Sequence, residues 1–172
     1  DPNPLVAGQG AERLRASGLR VHVMPAHSAE SMAARELNIG FFSRMLRGRP
    51  WVRLKMAASL DGISALPNGV SQWITSAEAR HDGHQWRARA CCILTGIGTI
   101  KEDDPQLNVR DVHPKDISVR QPMRILIDSF LEAPLNAKIL DETIGGQTLV
   151  VCGQVDDAHF SKMETALKAK NV

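Results

Sequence analysis

Six cations are the first residues whose types could do chemistry: Arg53, Lys55, Arg80, Arg87, Arg89 and Arg110. A guanidinium fork suits bidentate recognition of phosphate. Arg80 and Arg87 lie seven positions apart, so one helix would hold them on one face. For any single arginine, plain solvent exposure is the simpler alternative. Lys55 stands inside an alternating segment, where a lysine either snorkels or faces a site.

Other groups are weaker by themselves. Thr95-Gly96-Ile97-Gly98-Thr99 follows an apolar run, and glycines there let a phosphate approach backbone N–H groups. The full G-x-G-x-x-G fingerprint is missing, because Lys101 takes the third glycine position, so a plain tight turn fits as well. Glu102-Asp103-Asp104-Pro105 could bind a metal, cap a helix, reach a ribose hydroxyl or form a solvated turn. His81 and His84, three apart, could share a metal, but no third ligand of fitting spacing accompanies them. His113, before Pro114, reads as a loop residue. Trp73, in Ser71-Gln72-Trp73-Ile74-Thr75, could stack on a flat ring or fill part of a core.

The elements that must position these residues follow from periodicity and turn chemistry. A helix over 8–17 would stop at Gly18. Residues 19–24 alternate like a strand. Ser28 caps one helix running to about Leu46, with acids early and arginines late, and Arg47-Gly48-Arg49-Pro50 breaks it at the best domain boundary. Trp51 to Met56 reads as a strand with Val52, Leu54 and Met56 on one face and Arg53 and Lys55 on the other. Asp61-Gly62 and Pro67-Asn68-Gly69 are turns. Ser76 caps a helix over 77–89. Residues 91–95, 124–128 and 148–152 read as buried strands, and a last helix covers about 156–168. Short apolar strands alternating with helices predict an α/β domain with a largely parallel sheet, whose ligands sit beyond the carboxyl ends of the strands.

Composition sets the outer bounds. The 172 residues are 43% apolar and 23% charged, with 21 basic and 19 acidic residues, which suits a folded domain rather than a disordered chain. A formal charge of +2, no tyrosine and no clustered basic run argue against nucleic acid. No apolar run approaches the roughly 18 residues of a membrane span, and Asp1-Pro2-Asn3-Pro4, with no basic start or apolar stretch, does not read as a signal peptide. Cys91, Cys92 and Cys152 form no C-x-x-C, so they read as small buried hydrophobes in a reducing, cytoplasmic setting. The turn-rich start at Asp1-Pro2-Asn3-Pro4 and a last helix with no strand after it suggest a fragment at both ends.

Several segments taken in order resemble a known family. They are Leu54-Lys55-Met56-Ala57-Ala58-Ser59-Leu60-Asp61-Gly62, residues 71–75, residues 90–99, Asp103-Asp104-Pro105-Gln106-Leu107-Asn108-Val109-Arg110 and residues 124–129. The set resembles the reductase domain of the bifunctional riboflavin-biosynthesis deaminase/reductase. Asp1-Pro2-Asn3-Pro4 and Gly8-Gln9-Gly10 resemble the closing segment of that family's cytidine-deaminase-like domain. The resemblance implies a deaminase remnant and linker over 1–48 and the first portion of a dihydrofolate-reductase-like domain over 49–172, with a mostly parallel sheet flanked by helices.

The family's reductase uses NADPH to reduce the ribosyl group of 5-amino-6-(5-phosphoribosylamino)uracil to ribityl. By motif, the resemblance implies that Ser71, Arg87, Leu107 and Arg110 contact this phosphorylated pyrimidine. It implies that Ala57, Trp73, Thr99, Asp103 and Ser129 contact NADPH. Lys55 is the candidate for polarising the opened sugar or supplying a proton. The deaminase's H-x-E and P-C-x-x-C segments are absent, so zinc is expected only in a part of the enzyme outside this sequence, as is the family's later acidic and glycine-rich segment. A homo-oligomer, dimer or tetramer, is implied through the reductase domain. The alternatives are a related reductase acting on another pyrimidine or pterin, and a non-catalytic nucleotide-binding or assembly module.

Overall fold

A computed structural model describes residues 1–71, 73–112 and 119–172. The expected loop at His113-Pro114 and the side chain of Gln72 lie outside the described residues. The chain divides into two compact units, Asp1–Lys55 and Met56–Val172.

The first unit holds three helices, α1 (Gln9–Ala16), α2 (Ala29–Leu37) and α3 (Ile39–Arg47). Gly18 ends α1 as its sequence position demands. At φ 81° its amide bonds Arg15 O, and the Leu19 amide reaches back to Leu14 O, which together satisfy the last carbonyls. Ser28 caps α2 by accepting from the Ser31 amide at 3.2 Å.

Two expectations fail in this unit. The single helix over 28–46 is two helices. The Asn38 side chain donates to Ala34 O at 2.8 Å and its backbone turns to φ −111°, ψ 26°, so α2 stops and α3 restarts. The alternating segment 19–24 is not a strand: no described residue pairs with it, and a period of two makes a strand only when a neighbour takes its ladder. Residues 51–56, which straddle the two units, fail as a strand for the same reason, and Val52, Leu54 and Met56 are left exposed.

In the second unit, the two turns read from sequence are present. Ser59 to Ile63 closes around Gly62 at φ 83°, and Leu66 to Val70 closes around Gly69 at φ 85°. Helix α4 (Ala77–Arg89) starts on Ser76, whose hydroxyl accepts from the Ala79 amide. The sheet follows: β1 (Cys92–Gly96), β2 (Met123–Ile127) and β3 (Thr148–Val151), with α5 (Ile97–Asp103) after β1 and α6 (Asp157–Lys168) after β3. The order is β1-β2-β3 and both pairings are parallel, with Leu94, Ile125 and Leu149 in one cross-strand row.

The core forms on the other face of this sheet. Leu126 at the centre of β2 packs with Ile100 of α5, with Ile139 and Leu140 in a 3-10 turn, and with Met163 and Leu167 of α6. Leu94 stays 64% exposed, so β1 is not the continuously buried strand its composition suggests. Cys92 lies on the same side of β1 as Leu94, and Cys91 precedes the ladder. Both thiols are exposed, which corrects the expectation of buried cysteines; Cys152 is half-buried.

Two features fix the loops at either end of β2. Beyond its carboxyl end, the fully buried Asp128 accepts the Glu132 amide at 3.0 Å and the Ala133 amide at 2.8 Å. Near its amino end, Gly146 adopts φ 78°, and a Cβ there would stand 2.9 Å from Pro122 O. Only glycine meets both demands.

Candidate functional site

One loop, residues 104–110, brings four expected site residues together: it follows Asp103 at the end of α5, carries Leu107 and Arg110, and meets Arg87 through a contact. Strand β1 runs straight into α5, with Gly96 as the junction, rather than into a free glycine turn. Helix α5 turns the chain back toward the amino ends of the strands. Asp104 then takes φ 41° and ends α5, while its carboxylate accepts the Lys138 amide at 2.8 Å and pairs with Lys138 Nζ at 3.3 Å. Leu107 takes φ 50° and is buried, so the loop bends with a side chain pinned in the core.

The four acids-and-turn readings of 102–105 resolve into separate jobs. Ser71 Oγ donates to Asp103 Oδ1 at 2.8 Å, joining an expected substrate residue to an expected cofactor residue. Asp104 holds the loop. Among the described residues, no group of three His, Cys, Asp or Glu is placed to hold a metal ion. His81 and His84 do not converge as a ligand pair. His81 Nδ1 faces Asp111 at 3.0 Å, and Nε2 faces the Gln85 amide nitrogen at 3.1 Å. A carboxylate can only accept, so Nδ1 donates to Asp111 and is not free to bind a metal.

The two arginines meet at one residue. Arg87 Nη1 donates to Asn108 O at 3.3 Å, and Arg110 Nη1 donates to Asn108 Oδ1 at 2.8 Å. Burial, with repulsion from Arg110 second, lowers the Arg87 pKa from arginine's usual value. Two guanidiniums thus share a neutral amide residue. That is the charge arrangement an anion with several oxygens would complete. His84 lies one turn before Arg87 on α4, only 7% exposed. Its pKa falls to about 4, chiefly through burial and then through Arg87 and Arg110, so at neutral pH it adds no third charge.

This pair is attached at the amino ends of the strands, not beyond their carboxyl ends as the parallel-sheet rule suggested. Arg87 O accepts the Ala90 amide just before β1, and Val109 is held by Gln121 just before β2. The expected cofactor residues are spread more widely. Ser129 stands exposed beyond the carboxyl end of β2, where its carbonyl accepts the Gly153 amide at 3.0 Å. Thr99 is exposed on α5 and Ala57 half-buried before the first turn. Trp73 is exposed, not core, and Arg80 stacks on its ring with the guanidinium carbon 4.3 Å from the centroid. Arg80 is held there by a hydrogen bond to Thr75 O. Arg89 stacks on Trp86 instead of facing the arginine pair. Lys55 is exposed and belongs to the first unit.

Three contributors have roles that the sequence did not assign: Asn108, part of a motif but given no role, is the hinge of the arginine pair; His84 was read only as half of a metal pair; and Gln121 was not singled out. A buried polar residue one turn from Arg87 was the available signal for His84. Nothing in sequence marks Gln121, whose partner is twelve residues away.

Comparison with known proteins places these features in a family. The model of the family described as RibD C-terminal domain matches residues 50–172. The riboflavin biosynthesis protein RibD of Aquifex aeolicus is 43% identical over 151 residues, covering 88% of this chain and 40% of that protein. Its Escherichia coli counterpart is 44% identical over 138 residues, covering 75% of this chain and 36% of that protein. The chain therefore spans about two-fifths of the length of these relatives. Among solved structures, Acinetobacter baumannii RibD superposes with a TM-score of 0.74 at 38% identity, over 99% of this chain and 50% of that one. A diaminohydroxyphosphoribosylaminopyrimidine deaminase/5-amino-6-(5-phosphoribosylamino)uracil reductase from Thermotoga maritima superposes with a TM-score of 0.72 at 27% identity, over 99% of this chain and 49% of that one. The parallel α/β fold of the second unit is that of these structures, and the chain belongs to the RibD C-terminal domain family.

Proposed function

We propose that residues 49–172 act in the NADPH-dependent reduction of the ribosyl group of 5-amino-6-(5-phosphoribosylamino)uracil, a step of riboflavin biosynthesis. The observation that carries this reading is the Arg87–Asn108–Arg110 cluster, two cations on one neutral residue, in a chain of this family. The cluster takes the substrate's 5-phosphate. Ser71, bonded to Asp103 beside this loop, and Leu107, through its backbone because its side chain is buried, are the proposed contacts to the rest of the substrate.

The residues present fit a nicotinamide dinucleotide. Trp73 offers an exposed indole beside a cation, Thr99 and Ser129 offer exposed hydroxyls, and Gly153 lets two backbones approach where a Cβ would stand 3.0 Å from Ser129 O. These residues, with Ala57 and Asp103, would hold NADPH, which when bound supplies the hydride that reduces C1′. The substrate becomes reducible when its N-glycoside opens: the C1′–O bond breaks as a proton is delivered to the ring oxygen, the glycosyl N–H proton is given up to a base, and a C1′=N imine remains. Lys55 is the proposed proton donor in that opening, and Ser71, bound to Asp103, ties the substrate contacts to the cofactor contacts.

Residues 1–48 are the closing part of the deaminase domain in this reading. Zinc belongs to a part of the enzyme outside this sequence, since these residues hold neither an H-x-E nor a P-C-x-x-C segment. Assembly through the reductase domain and a cytoplasmic location complete the proposal. Among the described residues, no helix is long and apolar enough to cross a membrane. Loss of NADPH absorbance on adding the phosphoribosylaminouracil tests the activity. NADPH binding with no turnover, in this chain and in a longer one, would favour the non-catalytic module instead.

A further inference from the structure

The side chain of Gln121 makes two hydrogen bonds to the backbone of one residue. Its Oε1 accepts the Val109 amide at 2.8 Å, and its Nε2 donates to Val109 O at 2.8 Å. A single carboxamide thus pairs with Val109 much as an adjacent strand would. Val109 is 5% exposed and Leu107 7%, so alternate residues of the loop point inward and are fixed, while Arg110 stays exposed and bonds Asn108.

Gln121 is itself anchored to the sheet. Arg120 Nη2 donates to Ala90 O at 2.8 Å, and the Met123 amide bonds Cys91 O at 3.0 Å. Pro122 is fully buried and restricts Gln121 to extended backbone. Gly146 crowds the other side: a Cβ there would stand 3.1 Å from the Gln121 Cβ.

The two arginines come from different elements. Arg87 is set by helix α4, whereas Arg110 ends a loop that contains a left-handed leucine and has no ladder of its own. Something must fix the second against the first. We propose that Gln121 is a positioning residue for the anion site: by clamping Val109 at both its amide and its carbonyl, it registers Arg110 against Arg87 so that both guanidiniums reach one phosphate. This rests on the reading of the arginine pair as the phosphate site.

The test uses the full chain, inorganic phosphate as the binding probe, and the phosphoribosylaminouracil for kinetics. In Gln121→Met the side chain keeps its length and loses both hydrogen bonds. Gln121→Asn keeps the amide but is one methylene too short, and it serves if the methionine variant folds poorly. Both are expected to weaken phosphate binding and raise the substrate KM by about tenfold, the scale of one displaced charge-assisted hydrogen bond, with the KM for NADPH unchanged. Because Gln121 acts through Arg110, Gln121→Met in an Arg110→Met background should add less than about twofold. Full additivity in that background, equal loss in the NADPH and substrate parameters, or unchanged phosphate affinity in both Gln121 variants would overturn the proposal alone. A wild-type chain that binds no phosphate would overturn the anion-site reading and the proposal with it.

Discussion

Ser71 and Asp103, thirty-two positions apart, are joined by a hydrogen bond of 2.8 Å from hydroxyl to carboxylate. The family resemblance implies a substrate contact for the first and an NADPH contact for the second, and the bond makes them one unit. Ser71→Ala should therefore raise the KM for substrate and for NADPH together, each by about three- to tenfold, since it removes one hydrogen bond to a charged group. Steady-state kinetics varying each reactant in turn checks this. A change confined to one reactant would separate the two residues' roles.

The arginine pair makes a sharper claim. Arg87→Met and Arg110→Met should each raise the substrate KM about ten- to a hundredfold, the loss of one charge-assisted phosphate contact. Added inorganic phosphate should inhibit the wild-type chain competitively with substrate and inhibit either variant less.

Proton linkage at His84 gives a stability prediction. The folded-state pKa is about 4, below the ordinary value of 6.5, so between these values the unfolded chain binds more protons than the folded one. Stability must rise with pH across that window; its full share is present above about pH 6.5 and is lost as pH falls through 4. The total for this nearly buried ring is on the order of 3 kcal/mol. Urea melts from pH 4 to 7 should show this slope, and His84→Gln should flatten it.

Buried Asp128 supports the loop that presents Ser129. Asp128→Ala leaves the Glu132 and Ala133 amides without their partner and should cost about 2 to 4 kcal/mol in chemical denaturation. Asp128→Asn, which keeps one acceptor oxygen, should cost less.

Much of this fold can be read from residue types. The three strands and α4 announce themselves through apolar runs and the Ser76 cap, which are local signals, although Leu94 and Leu149 stay exposed and the expected burial of β1 and β3 does not hold on both faces. Segments 19–24 and 51–56 alternate just as clearly, yet neither finds a ladder partner among the described residues, and alternation cannot say whether one exists. Asn38 broke a helix whose charge pattern looked continuous, since a single side-chain bond to Ala34 decided the matter. At the site, arginine type and spacing pointed to an anion, but the meeting point did not show. Asn108 joins Arg87 and Arg110 through one backbone and one side-chain oxygen, and Gln121 grips Val109 across a loop. Neither contact leaves a trace in spacing.

The most direct test of the central claim is NADPH oxidation with the phosphoribosylaminouracil and with its dephosphorylated counterpart, in wild type and in Arg110→Met. The account predicts that wild type strongly favours the phosphorylated compound and that Arg110→Met loses most of this preference while handling the dephosphorylated compound almost as wild type does. Equal preference in the two proteins would show that the Arg87–Arg110 pair does not read the phosphate.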